Sequence, residues 1–175
     1  PTMWSEFQSG LRLGFIARLK PKWVVPRKLG STETKVDWVP GASLMIRRRV
    51  FEVVGLMDEK YFLFYEETDL CLRAHRAGWS CWWVPQSRVM HLGGQSTGPV
   101  RKSTHSRVPR YWFESRRHFF VKNHGRFYAA VADILWTIGF VFWRLRRPLQ
   151  RKPDSDPPHL LGDFLKNSTL VRLFG

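Results

Sequence analysis

Cysteine is scarce in these 175 residues: there are two, Cys71 and Cys81. Two thiols cannot build a disulfide framework and are too few for a structural zinc site. Cys71 falls in a helical pattern and Cys81 in a strand-like one, so both read as buried free thiols, which suits a reducing cytosolic setting. Acidic residues are also few, 14 Asp and Glu against 29 Lys and Arg. An excess of that size attracts polyanions, whether nucleic acid, anionic lipid or a diphosphate-bearing substrate. A long uninterrupted apolar run is missing too. Phe127 to Trp143 is 17 residues with Asp133 as its one charge, short of the roughly 20 that a confident membrane span requires. No internal repeat is present, which excludes a solenoid reading. Apolar residues make up 43% and aromatics 15%, enough to exclude disorder and to build a real core.

The most informative stretch places Glu66, Glu67 and Asp69 within four residues. Before them, Tyr61-Phe62-Leu63-Phe64-Tyr65 is a continuous aromatic and apolar run that reads as a short buried strand or its approach. After them, Leu70, Cys71, Ala74 and Ala77 recur at helical spacing, Arg73 and Arg76 fall on the other side, and Gly78 stops the helix. The carboxylates therefore sit at a helix N-terminus, where free amides and the helix dipole favour negative charge. Ordinary capping accounts for such acids, with Thr68 or Asp69 as caps. Chemistry also accounts for them, because a metal, a proton or a substrate hydroxyl would each relieve their repulsion.

Around this cluster lie further patterned segments. Asp37-Trp38-Val39-Pro40-Gly41 leads into Ala42 to Ile46, which reads as a strand; a short helix over Val50 to Val54 ends at Gly55, and Met57-Asp58-Glu59 follows. Ser80 to Val84 reads as a second strand, ended by Pro85, and Arg88-Val89-Met90-His91 precedes Gly93 and Gly94. In this order and spacing, residues 36 to 96 resemble the C-terminal half of the catalytic domain of family 2 glycosyltransferases, inverting enzymes of the GT-A fold. The rhamnosyltransferase-like members look closest.

The resemblance implies an α/β fold, the C-terminal half of a GT-A domain followed by helices. It implies that Glu67 is the general base, although this chain has Glu66-Glu67 where the family has Glu-Asp. The longer side chain demands a small adjustment of backbone or acceptor. Glu66 would orient the acceptor or the base, and Asp69 would cap the helix or contact the acceptor. Trp38 and Gly41 would form a rigid lip beside the acceptor, or simply a turn feeding a strand. His91 would coordinate a divalent metal, magnesium or manganese, beside the donor diphosphate. Gly93, Gly94 and Ser96 would form a loop approaching phosphate. The implied partners are a nucleotide-sugar donor and a lipid-linked or polysaccharide acceptor. No N-terminal βαβ unit, glycine-rich phosphate loop or metal-binding Asp-Xaa-Asp is found. Asp154-Ser155-Asp156 has that last form but reads as a solvated turn in a Pro-rich tail. The expectation is a fragment that lacks most of the donor site and has little activity alone.

Four segments are expected: an amphipathic helix and linker over 1–30, with Leu11, Phe15, Ile16 and Leu19 on one face; the catalytic portion over 31–100; basic aromatic helices over 101–147; and a Pro-rich tail with a peripheral helix over 148–175. Residues 96–108 read as a polar lid. Residues 101–175 carry 15 Lys and Arg against 5 Asp and Glu. Basic clusters bracket Phe127 to Trp143, and aromatics of the interfacial kind lie within it. This favours a helix lying on or partly in an anionic membrane surface, peripheral at the cytoplasmic face. A buried core helix and a spanning helix stand beside that reading. Nucleic acid is disfavoured because aromatic and basic residues are segregated rather than interleaved.

Overall fold

The computed structural model describes residues 1–14, 19, 29–92 and 106–173. It is mixed α/β, mostly helical, with one two-stranded sheet. The chain divides into two compact units, residues 28–103 and residues 1–27 joined with 104–175.

The first unit is small. Strand β1 (Thr34–Val36) pairs antiparallel with β2 (Cys81–Trp83), with Val36 opposite Cys81. A 3₁₀ turn spans Gly41–Ser43, helix α1 spans Arg48–Val54 and helix α2 spans Glu66–Arg76. Gly55 ends α1 with a φ of 79°, and Gly78 lies just past α2 with a φ of 86°. Val50, Tyr61, Leu70, Cys71 and Ala74 form its buried apolar residues. The strand expected over Ala42 to Ile46 is not formed. Leu44 and Arg47 have extended backbones, but no neighbouring strand pairs with them among the described residues. Tyr61 to Tyr65 is likewise a turn rather than a strand, with Tyr61 buried and Phe62 and Phe64 exposed.

The second unit is a helical assembly. Its N-terminal helix α3 (Met3–Leu11) is closed by a capping box between Thr2 and Ser5. The long helix α5 (Arg126–Leu149) follows α4 (Arg110–His124), which starts after Pro109, and the short helices α6 (Leu160–Lys166) and α7 (Thr169–Leu173) complete it. Gly10 and Gly139 let α3 and α5 meet backbone to backbone: a Cβ on Gly139 would lie 2.6 Å from the Phe7 carbonyl oxygen and 2.8 Å from the Leu11 nitrogen. Arg146 then donates to the Leu11 carbonyl at 2.8 Å, capping the end of α3.

The centre of this unit is ionic as well as aromatic. Arg116 is buried and bonds Glu6 through Nε at 2.8 Å and Asp133 through Nη1 at 2.6 Å. The second oxygen of Asp133 accepts from the Thr169 amide at 2.7 Å. Beside this network Trp136 stacks on Phe164 with ring centroids 3.9 Å apart, and Phe113, Phe140 and Trp143 complete the cluster. The tail helix is thus part of the core, not peripheral, because Phe164 is one of its buried rings. Asp154 and Ser155 are exposed as a solvated turn requires, but Asp156 is mostly covered and both acids are ion-paired. Asp154 pairs with Arg144 at 2.8 Å and with Arg147, and Asp156 pairs with Arg12 at 2.6 Å. Helix α5 also runs 24 residues, beyond the 17-residue apolar run, and by length and composition it is the one helix among the described residues apolar enough to cross a membrane. Phe15 and Ile16 lie outside the described residues.

Gly139→Ala tests the helix contact. Alanine raises helix propensity by about 1 kcal/mol, but its methyl would meet backbone atoms that cannot turn aside, an overpacking cost of about 1–3 kcal/mol or more. Urea unfolding should show a lower midpoint for the variant; an unchanged or higher midpoint would mean the two helices do not touch there.

Candidate functional site

Helix α2 begins after two successive residues in the left-handed region, Phe64 and Tyr65, each with a φ of 71°. Aromatic residues adopt that conformation at a cost of about 1–3 kcal/mol each, and such strain concentrates at functional sites. Tyr65 occupies the cap position without a side-chain capping hydrogen bond to the helix end. Thr68 and Asp69, expected from sequence as caps, lie inside the helix, both buried.

The three carboxylates have separate environments. Asp69 is 0% exposed. Its Oδ2 accepts from Arg73 Nε at 2.9 Å and its Oδ1 from the Tyr61 hydroxyl at 3.4 Å. Arg73 continues to the end of α1, donating to the carbonyls of Val54, Gly55 at 3.3 Å and Leu56 at 2.8 Å. Asp69 therefore ties α2, through Arg73, to the C-terminus of α1, where a cation also suits the helix dipole. Burial and the neighbouring Asp69 push the Tyr61 hydroxyl well above its ordinary pKa, so it stays a proton donor to that carboxylate.

Glu66 and Glu67 are half-buried, and each keeps one buried oxygen, Oε2, without a hydrogen-bond partner. Glu67 is the perturbed one. Loss of hydration raises its pKa above the ordinary 4.5 and the charge of Glu66 adds to this, while amide hydrogen bonds from Glu67 itself, Thr68 and Gly41 oppose it. The carboxyl thus has amides holding it in place and a buried, unpartnered oxygen with an increased appetite for a proton. Gly41 packs directly on it: a Cβ there would be 3.7 Å from Glu67 Cβ and 3.9 Å from Cδ.

One helical turn further along α2, Cys71 receives a hydrogen bond from the Cys81 thiol and another from the Val39 backbone. These lower the Cys71 pKa and raise that of Cys81, which keeps its proton as the donor. The segment Val39 to Gly41 is therefore pinned to α2 at two points, Cys71 and Glu67. Both thiols are free, as expected, with Cys71 buried and Cys81 half-buried. Trp38, just before this segment, is half-buried, and Gly41 is exposed.

His91 is exposed. Among the described residues no three His, Cys, Asp or Glu side chains come together as metal ligands, so His91 is not part of a self-contained metal site there. Gly93, Gly94, Ser96 and most of the expected lid lie outside the described residues. Sequence reasoning missed the roles of Tyr61 and Arg73. The i, i+4 spacing of Asp69 and Arg73 was the available signal for the latter.

Comparison with known proteins adds an independent line. The chain is 34% identical over 125 residues to the N-acetylglucosaminyl-diphospho-decaprenol L-rhamnosyltransferase of Mycobacterium tuberculosis, covering 65% of this chain and 40% of that protein. It is 28% identical over 114 residues to the dTDP-rhamnosyl transferase RfbF of Shigella flexneri, covering 62% and 38%. It is 34% identical over 70 residues to the rhamnosyltransferase WbbL of Escherichia coli, covering 40% and 26%. No family model and no solved structure matches the chain. The chain carries a partial rhamnosyltransferase-like region and spans about 40% of the length of the first of these relatives.

Two measurements check the site's electrostatics. Arg73→Met strands a fully buried Asp69 carboxylate and should destabilise the fold by about 3–5 kcal/mol; a loss below about 1 kcal/mol in urea would mean that the pair is not buried in solution. Glu67→Gln acts in the opposite sense. The folded-state pKa of Glu67 lies above its unfolded value, so its effect on stability is most favourable below about pH 4.5 and worsens as pH rises through the unfolded and then the folded pKa. The Gln variant should unfold at a higher urea concentration than the parent at neutral pH and lose that advantage on acidification. A pH-independent difference would remove the argument for a raised pKa.

Proposed function

We propose that residues 31–100 are the acceptor-side half of an inverting glycosyltransferase of the family 2 type and GT-A fold, with Glu67 as the general base. The observation that carries this reading is the Glu67 carboxyl, fixed by the Gly41 and Thr68 amides, raised in pKa, and left with one unpartnered oxygen. The similarity to rhamnosyltransferases supports it. The proposed reaction is a single displacement. An acceptor hydroxyl gives its proton to Glu67 as its oxygen attacks the anomeric carbon of the donor sugar. The bond from that carbon to the nucleotide diphosphate breaks on the opposite face, so the configuration inverts.

The donor is a nucleotide-activated sugar, of the rhamnosyl class by similarity to the dTDP-rhamnosyl transferase. The acceptor is a hydroxyl of a lipid-linked or cell-envelope saccharide, by similarity to the enzyme named for a diphospho-decaprenol acceptor. Glu66 lies beside the base to orient the acceptor, and Trp38 and Gly41 form the lip against which the acceptor rests. Asp69 contributes through Arg73 and Tyr61, by holding the start of α2 in position. Gly93, Gly94 and Ser96 are assigned to the donor diphosphate. A divalent metal, magnesium or manganese, is the proposed cofactor, with His91 as one ligand; it would neutralise charge on the leaving diphosphate. No step assigned to Glu67 depends on it.

The reading also calls for a donor-binding half outside these residues. Its support is apolar side chains left exposed in two segments of this unit. Met45 is 99% exposed in the extended stretch after Gly41, and Met90 is 88% exposed just before His91. Val89 and Leu92 beside Met90 are exposed too, and a run of exposed apolar residues marks a surface that another part of a protein covers.

The test is Glu67→Gln in the enzyme that joins this chain to its donor-binding half. Transfer should fall by about 10²–10⁴-fold, with donor binding and circular dichroism unchanged. Turnover within a few-fold of the parent would sink the assignment.

A further inference from the structure

Helix α5 has an unusual distribution of polarity. Its one acid, Asp133, is 2% exposed and faces inward to Arg116, while the opposite side is apolar and open to solvent. Phe127, Ile134, Ile138, Val141, Leu145 and Leu149 are all exposed. They recur at intervals of seven, four, three, four and four residues, which is one face of a helix. From Phe127 to Leu149 this stripe runs about 33 Å at 1.5 Å per residue. A soluble surface rarely leaves so long an apolar strip uncovered.

Charge identifies what covers it. Arg126 is exposed at the start of the stripe, and Arg144, Arg151 and Lys152 are exposed at its far end. No Asp or Glu of α5 lies on the outward face. Asp154, near the far end, is taken up by Arg144 and Arg147. A second copy pairing through the same stripe would bring basic ends against basic ends, or stack them in parallel, and both arrangements repel. A protein surface would in addition leave a strip this uniformly apolar without the polar rim that ordinary interfaces have. A lipid surface meets both requirements: acyl chains for the stripe and anionic headgroups for the cations, with the long Arg and Lys side chains reaching up to them.

We infer that the helical unit docks on an anionic membrane surface through the outward face of α5, which lies in the plane of the interface while its Asp133 face stays packed in the protein. This inference does not rest on the glycosyltransferase reading, and its test uses no sugar donor.

The experiment is co-sedimentation of the full 175-residue chain with vesicles of equimolar phosphatidylglycerol and phosphatidylcholine, and with vesicles of phosphatidylcholine alone. The parent should pellet with the anionic vesicles, and less as salt rises. Ile138→Asp and Leu145→Asp should each weaken that binding by about tenfold or more, with helical circular dichroism unchanged because both positions are exposed. Leu149→Asp, at the helix end, gives the same readout should either central variant lose helicity. Arg126→Gln with Lys152→Gln should weaken binding to anionic vesicles while leaving the weak binding to phosphatidylcholine unchanged. Undiminished vesicle binding by the Asp variants would overturn the proposal. So would a parent that is dimeric in sedimentation equilibrium, becomes monomeric on Ile138→Asp, and ignores vesicles.

Discussion

A carboxylate removed from water must find a cation or donors, and both units of this chain are organised by that requirement. In the small unit Asp69 is matched by Arg73, whose guanidinium also collects the carbonyls that end α1. In the helical unit Arg116 is shared by Glu6 and Asp133. Each arginine joins elements distant in sequence, so the ion pair fixes which helix meets which. Glu67 is where the rule is only partly met. Amides hold it, yet loss of hydration and the charge of Glu66 raise its pKa all the same. Its neighbour Glu66 shares the deficit, with one buried oxygen unpartnered, so the two glutamates stand apart from the ion-paired acids of the fold.

The helical unit solves its charge problem in a way that governs its surface. With Asp133 satisfied inside, α5 can place Ala129, Trp136, Phe140 and Trp143 around the ion network and still have apolar residues left for the other side. The glycine contact with α3 strengthens this arrangement, because close backbones bury the packed face of α5 without using its outward one. The result is a helix with its one acid buried among apolar and aromatic residues and with apolar residues on its outward side as well, unlike an ordinary surface helix, whose outward side is polar.

What was legible in the sequence followed from local rules. Helix α2 was readable because its apolar spacing, acidic first turn, basic last turn and terminal Gly78 all agree. The start of α4 after Pro109 was readable for the same kind of reason. Segments whose state depends on distant partners were not. Ala42 to Ile46 has the composition of a strand, yet the described residues hold nothing for it to pair with, so it starts as a 3₁₀ turn and runs on unpaired, with Met45 exposed. Tyr61 to Tyr65 looks like a strand because it is aromatic throughout, but Tyr61 turns inward to Asp69 and the two residues before Glu66 go left-handed. The tail misled in another way: its prolines announced a linker, while Phe164 and Asp156 are recruited by Trp136 and Arg12, partners more than a dozen residues away in sequence.

The candidate site was half legible on the same grounds. Three acids at a helix start are visible in sequence; which of them is free to act is not. Position alone would favour Asp69, since Asp is the shorter and commoner cap. Packing commits Asp69 to a structural role, for its two oxygens are already spent on Arg73 and Tyr61. The extra methylene of Glu67 then becomes tractable. A longer side chain loses precision only when its carboxyl is free to swing, and here the loop that carries Gly41 is fastened to the same helix through Val39 and Cys71. The Cys71–Cys81 contact, which looks like incidental packing, helps set where that loop lies, and with it where the carboxyl of Glu67 is held.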